Sequence, residues 1–162
     1  MEIAILALGC FWGPEIKFNK LEGILKTEVG YCGGDGSKTN YKEVCSGTTN
    51  HAEVVKLEFD PKLISYEKII KYFYEIHDPT TLNSQGPDFG TQYRSEIFYL
   101  NDQQKEISVK IIKEENIKFS GKIVTKISLV KNYCPAEEYH QKYLEKRYDV
   151  FSRYKLARRK YK

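Results

Sequence analysis

The feature that most constrains the fold is a run of apolar residues near the start of the chain, Ile3 to Leu8. Because alternate side chains of a strand point to opposite faces of a sheet, a strand that is apolar at every position must be covered on both faces. The run is far shorter than the roughly 20 residues that a membrane-spanning helix needs. It also lacks the preceding basic residues and the cleavage site of a signal peptide. We therefore expect a buried strand in a cytoplasmic protein with no membrane segment.

Strand and helix signals alternate along the rest of the 162-residue chain. Pro14 suits the first residue of a helix that ends near Leu21. Ser65 and Asp102 suit the N-cap positions of two further helices. The complete prediction is strands at 3–8, 24–31, 52–59, 96–100 and 123–129, and helices at 14–21, 65–76, 102–116 and from about Ala136, with a short helical segment at 41–46. This order predicts an α+β fold, a ferredoxin-like α/β sandwich in which helices pack on a mixed sheet.

Length and charge predict one domain, 1–162, that ends in a basic tail. The formal net charge of +4 is uneven, because eight basic and two acidic residues lie between Tyr143 and Lys162. We interpret this tail, from about residue 146, as a solvated helix face without a catalytic role on a monomeric protein. The alternative is a nucleic-acid-binding module, whose footprint is also a basic patch.

The four cysteines are Cys10, Cys32, Cys45 and Cys134, and no two of them form a C-x-x-C pair. They are too few and too scattered for the disulfide framework of a small secreted protein. The three histidines lie in unrelated contexts, so we expect no metal site. Cysteine content therefore favours free thiols and a reducing compartment.

Cys10 lies between the first buried strand and the helix that follows it. Unpaired N–H groups and the helix dipole favour an anion at a helix N-terminus, and thiols placed there have lowered pKa values. We therefore expect a lowered pKa for Cys10 and a role as a nucleophile. One alternative on these grounds is a cysteine hydrolase or acyltransferase that uses His51 or His140 as its base.

Gly9 to Glu15 reads G-C-F-W-G-P-E and resembles the G-C-F-W-G-x-E motif of the peptide methionine sulfoxide reductases of the A class. Further segments are similar to motifs of that family: G-Y-x-G-G at 30–34, Y-x-x-V-x-S-G-x-T-x-H-A-E at 41–53, I-H-D-P-T with N-x-Q-G-x-D-x-G-x-Q-Y-R-S at 76–95, and A-E-x-Y-H-Q at 136–141. The resemblance spans residues 4 to about 145. Several separate motifs that follow one another in the family's order identify a family far more specifically than a single short match does.

The resemblance implies a function. It implies reduction of the S epimer of methionine sulfoxide, free or within oxidised proteins, to methionine without an organic cofactor. The sulfur nucleophile is left as a sulfenic acid, which a thiol then reduces. The implied reductants are thioredoxin or glutaredoxin with glutathione.

The resemblance also implies roles for individual residues. Cys10 attacks the sulfoxide sulfur, and Glu53 is the acid that protonates the sulfoxide oxygen. A glutamic acid needs a raised pKa for that role, which an aromatic pocket supplies by desolvation. Tyr41 and Tyr93 hydrogen-bond the sulfoxide oxygen, Asp88 orients the site, and Phe11 and Trp12 hold the S-methyl group.

Two departures from the family pattern stand out. Asn50 occupies a position that is usually glycine, which is tolerable if the backbone there is left-handed. Many family members carry recycling cysteines in a C-terminal tail, whereas no cysteine follows Cys134 here.

We expect Cys32 to take over the recycling role. A right-handed β-α-β crossover makes the first two strands parallel, so Cys10 and Cys32 both follow a carboxyl end at one edge of the sheet. Gly33 and Gly34 would give the backbone freedom to join the two sulfurs. Cys45 is less suited, because it lies in the segment that resembles the ordinary family motif at 41–53. Cys134 is a second possibility, and direct attack on Cys10 by an external thiol such as glutathione is a third.

Overall fold

The computed structural model describes residues 1–149. Its strands are β1 Glu2–Leu8, β2 Ile24–Cys32, β3 Ala52–Phe59, β4 Ser84–Gln85, β5 Asp88–Phe89, β6 Ser95–Tyr99, β7 Lys126–Leu129 and β8 Cys134–Pro135. Its helices are α1 Trp12–Phe18, α2 Tyr41–Cys45, α3 Tyr66–Glu75 and α4 Asp102–Lys118, with 3-10 turns at Thr91–Tyr93 and Glu138–His140 and further helical backbone at 143–149. No helix within residues 1–149 has the length and hydropathy to cross a membrane.

Six strands form the main sheet in the order β7-β6-β1-β3-β2-β8. Only β6 and β7 pair in parallel, and the other neighbours are antiparallel. The inner strands β6-β1-β3-β2, with α1 and α3 as crossovers, have the ferredoxin-like order. The predicted α+β fold with a mixed sheet is confirmed.

The two faces of the sheet carry different layers. One face packs against α1, α3 and α4 around fully buried residues such as Phe18, Phe73 and Ile111. The other face carries a smaller apolar cluster that includes Cys32 and Phe98. Consecutive strand residues alternate between these faces, so their environments differ sharply.

Several element bounds differ from the sequence-based expectation. Ser65 caps α3 as predicted, but the cap of α4 is Asn101, whose side chain accepts a hydrogen bond from the Gln104 N–H at 2.9 Å. Asp102 is therefore the first helical residue and not the cap. Helix α1 begins at Trp12, two residues before Pro14.

The helix predicted from Ala136 is wrong. Ala136 instead donates its N–H to the carbonyl of Val29 at 3.0 Å, at the edge of β2. The side chain of Gln141 accepts from the Val29 N–H at 2.9 Å and donates to the Val29 carbonyl, also at 2.9 Å. Pairing with the sheet edge thus replaces the first turns of a helix. Most of the basic tail, residues 150–162, lies outside the described residues.

Candidate active site

The turn that leaves β1 is built around Gly9 and Cys10. Gly9 has a φ of 93°, and a Cβ added there would come within 2.7 Å of the Gln85 side chain, so both conformation and space require glycine. Beyond it, the N–H groups at the start of α1 have no partners within the helix. The Phe11 N–H donates to Glu53 Oε2 at 3.2 Å, and the backbone N–H of Trp12 acts to lower the pKa of the Cys10 thiol. The start of α1 therefore holds both a thiol and a carboxyl group.

Glu53 is the second residue of β3 and is only 2% exposed. Burial raises the pKa of Glu53 to about 8, the Phe11 N–H bond opposes that rise, and the charge of Asp88 adds to it. At neutral pH Glu53 is therefore mainly a neutral carboxylic acid. This agrees with the raised pKa that the sequence-based hypothesis requires of a proton donor.

The pKa of Cys10 differs from the sequence-based expectation. Burial raises it to about 11, the Trp12 N–H bond lowers it, and the charges of Glu53 and Asp88 raise it further. The expected lowering is wrong because Cys10 precedes a seven-residue helix by two positions and lies next to two carboxyl groups. Desolvation and these carboxyl groups outweigh a single N–H bond and a weak helix dipole.

Tyr41, Tyr93 and Asp88 come from three separate segments and meet around Cys10 and Glu53. Burial raises the pKa of Tyr93 to about 12, and the nearby charges of Glu53, Asp88 and Cys10 add to the effect. Burial and a hydrogen bond to Cys45 raise the pKa of Tyr41 as well. Both phenols therefore keep their protons and remain hydrogen-bond donors. Asp88 begins β5, the second strand of a small hairpin beside the site.

An aromatic wall adjoins Cys10. It includes Tyr143, which the sequence analysis did not single out, and His140, which it considered only as a possible base. Phe11 is buried, with its ring centroid 5.2 Å from that of His140. The indole N–H of Trp12 donates to His140 Nδ1 at 3.1 Å, and its ring stacks on Tyr143 at 3.9 Å. The ring of Tyr41 is 4.6 Å from that of His140. His140 thus supports the three aromatic residues expected in the pocket, and its place in the A-E-x-Y-H-Q segment was the available signal.

Buried hydrogen bonds fix the segment that carries His140. Glu15 is 2% exposed, accepts from Thr27 Oγ1 at 2.9 Å, and accepts from the Lys142 N–H at 2.9 Å. Glu137 accepts from the Tyr31 hydroxyl at 3.1 Å and from the Tyr41 N–H at 3.2 Å. This segment therefore connects α1, β2 and α2.

Arg94 supports the other side of the site. Its guanidinium donates to Glu96 Oε2 at 2.6 Å, to the carbonyl of Thr91 at 2.9 Å, and to the carbonyl of Asn50 at 3.0 Å. It thus connects the turn that carries Tyr93 to the loop that enters β3 just before Glu53. Asn50 has a φ of 59°, which confirms the left-handed backbone inferred for it.

The histidines offer no base to Cys10. His51 is buried with Nε2 3.1 Å from the carbonyl of Gly36, and His140 uses Nδ1 to accept from Trp12. The described residues thus contain no Cys-His pair at Cys10 of the kind that a cysteine hydrolase needs. Within residues 1–149, no three His, Cys, Asp or Glu side chains cluster as metal ligands would.

Cys32 lies at the expected edge of the sheet but on the opposite face from the site. In the register of β2 and β3, Tyr31 pairs with Glu53 and Cys32 pairs with Ala52. Cys32 is 0% exposed, and its thiol donates to the carbonyl of Lys131 at 3.3 Å. The shared edge predicted for Cys10 and Cys32 is therefore real, but the sheet separates their side chains.

The expected backbone freedom after Cys32 is also wrong. A Cβ added at Gly33 would come within 2.6 Å of the Phe98 ring, and one at Gly34 within 2.2 Å of His51. These glycines permit close packing, not movement. Cys134 pairs with Tyr31 in β8, and its thiol donates to the carbonyl of Thr39 at 3.7 Å.

Comparisons with known proteins agree with this site. Residues 2–162 match the family model described as peptide methionine sulfoxide reductase. Peptide methionine sulfoxide reductase MsrA of Pelagibacter ubique is 77% identical over 147 residues, which cover 91% of this chain and 100% of that protein.

Solved structures of related proteins are also similar to this chain. The reduced form of Mxr1 from Saccharomyces cerevisiae has a TM-score of 0.86 and 44% identity, over 90% of this chain and 84% of that one. Mxr1 in complex with Trx2 has a TM-score of 0.64 and 29% identity, over 88% and 84% of the two chains. The chain therefore belongs to the peptide methionine sulfoxide reductase family.

Proposed function

We propose that this chain reduces the S epimer of methionine sulfoxide, free or in oxidised proteins, by attack of Cys10 on the sulfoxide sulfur. The observation that carries the proposal is the neutral carboxyl group of Glu53, which accepts a hydrogen bond from the turn of backbone that carries Cys10. A sulfoxide sulfur is a poor electrophile until its oxygen is protonated or hydrogen-bonded. A buried acid beside a thiol supplies both partners of that reaction.

In the proposed step, Glu53 gives its proton to the sulfoxide oxygen while the hydroxyl groups of Tyr41 and Tyr93 hydrogen-bond the same atom. The sulfur of Cys10 attacks the sulfoxide sulfur, and oxygen passes from methionine to Cys10. The substrate sulfur gains two electrons, and Cys10 loses two and becomes a sulfenic acid. Methionine then leaves.

The thiol proton of Cys10 needs an acceptor, because a pKa of about 11 leaves little thiolate at neutral pH. The carboxylate that Glu53 becomes after proton donation is that acceptor. Glu53 is thus re-protonated by Cys10 within one step, so the pair needs no strongly acidic thiol. A carboxyl pKa of about 8 is near the value at which donation and acceptance are equally easy at physiological pH.

Binding is assigned to the aromatic wall. The Trp12 ring, held by His140 and Tyr143, and the buried Phe11 ring are proposed to receive the S-methyl group. Sulfur packs favourably against aromatic rings. Asp88 is proposed to orient the site through its charge on Glu53 and Cys10.

The reductant, location and assembly complete the proposal. The crystallised complex of the related Mxr1 with Trx2 supports a thioredoxin as the reductant, and glutaredoxin with glutathione is the second candidate. Four free thiols fit a reducing compartment such as the cytoplasm. We propose that the working form is a monomer, because the residues assigned to the reaction all come from one chain.

The test is a reduction assay with dithiothreitol and each epimer of a methionine sulfoxide peptide, with methionine measured by chromatography. We expect methionine from the S epimer and none above background from the R epimer. Equal reduction of both epimers would contradict the assigned stereochemistry. An acyl-enzyme burst with an activated ester, without any sulfoxide reduction, would contradict the proposed reaction itself.

A further inference from the structure

The hairpin of β4 and β5 carries Asp88 but lies apart from the main sheet. Its strands have two residues each and form a separate two-stranded sheet. A two-stranded hairpin is only marginally stable in water without contacts to the rest of a protein. The proposed function assigns Asp88 a place beside Cys10, so this hairpin needs an anchor on the body of the protein.

The side chain of Gln85 is such an anchor. It accepts a hydrogen bond from the Asp78 N–H at 3.0 Å and donates one to the Asp78 carbonyl at 2.8 Å. In the described part of the chain, the other hydrogen bonds that leave residues 83–90 reach only the nearby residues Thr81 and Tyr93. Gln85 therefore makes the one hydrogen-bonded connection between the hairpin and the segment that follows α3.

The residue before Asp78 fixes that segment to the core. The ring of His77 is bonded on both sides, with Nδ1 2.6 Å from the carbonyl of Phe73 and Nε2 2.8 Å from the hydroxyl of Ser95. Phe73 is a fully buried residue of α3, and Ser95 is the buried first residue of β6. Gln85 thus joins the hairpin to backbone that is held between a core helix and the main sheet.

The aliphatic part of Gln85 packs against the turn that carries Cys10. A Cβ added at Gly9 would come within 2.7 Å of Gln85 Cγ and 2.8 Å of Gln85 Cβ. The glycine therefore lets this side chain approach the backbone immediately before Cys10. Asp88 lies opposite Gln85 in the hairpin, so the two side chains project from the same face. The face that contacts the Cys10 turn is thus the face that carries Asp88.

We propose that Gln85 is a positioning residue that holds the hairpin, and with it Asp88, against the turn that carries Cys10. This role rests on the proposed function, since the hairpin acts on the reaction through Asp88. Gln85 itself transfers no proton. The charge of Asp88 raises the pKa values of Glu53 and Cys10, so both pKa values should fall when the hairpin moves away.

Asp88 is the carboxylate among the titratable groups that interact electrostatically with Glu53. Those groups are Cys10, Tyr31, Tyr41, Cys45, Tyr93 and Asp88. Burial raises the pKa of each of these two thiols and three phenols, so they stay mainly neutral near pH 8. A displaced hairpin should therefore change the pKa of Glu53 through Asp88.

The experiment measures methionine release in the first turnover of the full chain, with an S-sulfoxide peptide and no reductant, over a range of pH. In the unmodified protein the rate should fall as pH rises past about 8, because Glu53 loses its proton. Asp88→Asn should move this fall to lower pH by roughly half a unit, which lowers the rate about threefold at pH 9. Gln85 is only half-buried, so Gln85→Leu should fold, and it should move the fall in the same direction by no more than Asp88→Asn does.

A double variant and a matched control separate positioning from a general loss of structure. Gln85→Leu combined with Asp88→Asn should show the same pH dependence as Asp88→Asn alone, because the first change acts through the second residue. Gln104 on α4 makes a similar pair of bonds, accepting from the Leu100 N–H at 3.0 Å and donating to the Ile3 carbonyl at 2.7 Å. Gln104→Leu should lower the melting temperature without moving the fall in rate.

Alkylation of Cys10 is a readout that does not depend on sulfoxide reduction. Iodoacetamide reacts with the thiolate, and peptide mapping distinguishes Cys10 from the other three cysteines. Gln85→Leu should lower the midpoint pH of Cys10 alkylation. Absence of methionine release by the unmodified protein would contradict the proposed function and leave alkylation to decide the role of Gln85. An unchanged midpoint in Gln85→Leu in either measurement, or shifts that add in the double variant, would overturn the proposal.

Discussion

Cys10 and Cys32 end two parallel strands at one edge of the same sheet, and burial raises the pKa of each thiol to about 11. Position along the strand and acidity therefore do not distinguish them. Their surroundings do, because the turn that carries Cys10 is hydrogen-bonded to the acid Glu53 and Cys10 is partly exposed, whereas Cys32 is enclosed by apolar side chains. In this fold the neighbouring acid, rather than an acidic thiol, distinguishes the proposed nucleophile.

The strongest test of this difference exchanges each sulfur for oxygen. Cys10→Ser should abolish reduction in the dithiothreitol assay, because a hydroxyl is a far poorer nucleophile than a thiol. Cys32→Ser should reduce sulfoxide at nearly the normal rate, since its hydroxyl can donate to the Lys131 carbonyl as the thiol does. Residual activity of Cys10→Ser above background would contradict the assignment.

Replacing Glu53 should leave Cys10, like Cys32, without a neighbouring acid. Glu53→Gln keeps an oxygen for the Phe11 N–H but cannot donate a proton as an acid. We expect kcat to fall by about 10² to 10⁴, the usual contribution of general acid catalysis. The remaining rate should depend less steeply on pH near 8. An unchanged rate and pH profile would move the acid role to another residue, such as Tyr93.

The same substitution should stabilise the fold at high pH. In the unfolded chain Glu53 ionises near 4.5, but in the fold it stays protonated up to about 8, so stability is lost as pH rises between these values. Glu53→Gln removes this loss. We expect its free energy of unfolding at pH 9 to exceed that of the unmodified protein by roughly 3 to 5 kcal/mol. At pH 4.5 the two proteins should differ little, and an equal difference at both pH values in urea denaturation would contradict the buried-acid interpretation.

The smallest expected effect concerns the aromatic wall, which Cys32 lacks. Trp12→Ala should raise KM about fivefold, because sulfur–aromatic packing contributes about 1 kcal/mol. Trp12→Phe retains an aromatic face and should recover most of the affinity. A large fall in melting temperature with unchanged kinetics would instead identify Trp12 as a core residue.

The contrast between the two cysteines also shows how far the sequence can predict the site. Strand order, the edge shared by Cys10 and Cys32, and the left-handed Asn50 follow from local patterns, and the structure agrees with them. The face of a strand residue depends on register, and the pairing of Tyr31 with Glu53 is set by packing between distant segments. The pKa of Cys10 likewise depends on carboxyl groups 43 and 78 residues away in the chain.

The sequence analysis did not assign His140 and Tyr143 to the aromatic wall for a related reason. His140 and Tyr143 lie on a segment that long-range bonds hold at the site, such as the bond from the Lys142 N–H to Glu15, which spans 127 residues. Motifs marked the right segments, but the geometry within them depends on long-range contacts.

The paired hydrogen bonds between Gln141 and Val29 cover part of an edge of the main sheet. Strand β8 is only two residues long, so beyond it the outer backbone groups of β2 would be open to an added strand. The Gln141 amide occupies both groups of Val29 as a neighbouring strand would. An open sheet edge can pair with an extended segment of another chain, which is one route to aggregation. Gln141 thus protects this part of the β2 edge from pairing with an extended segment of another protein.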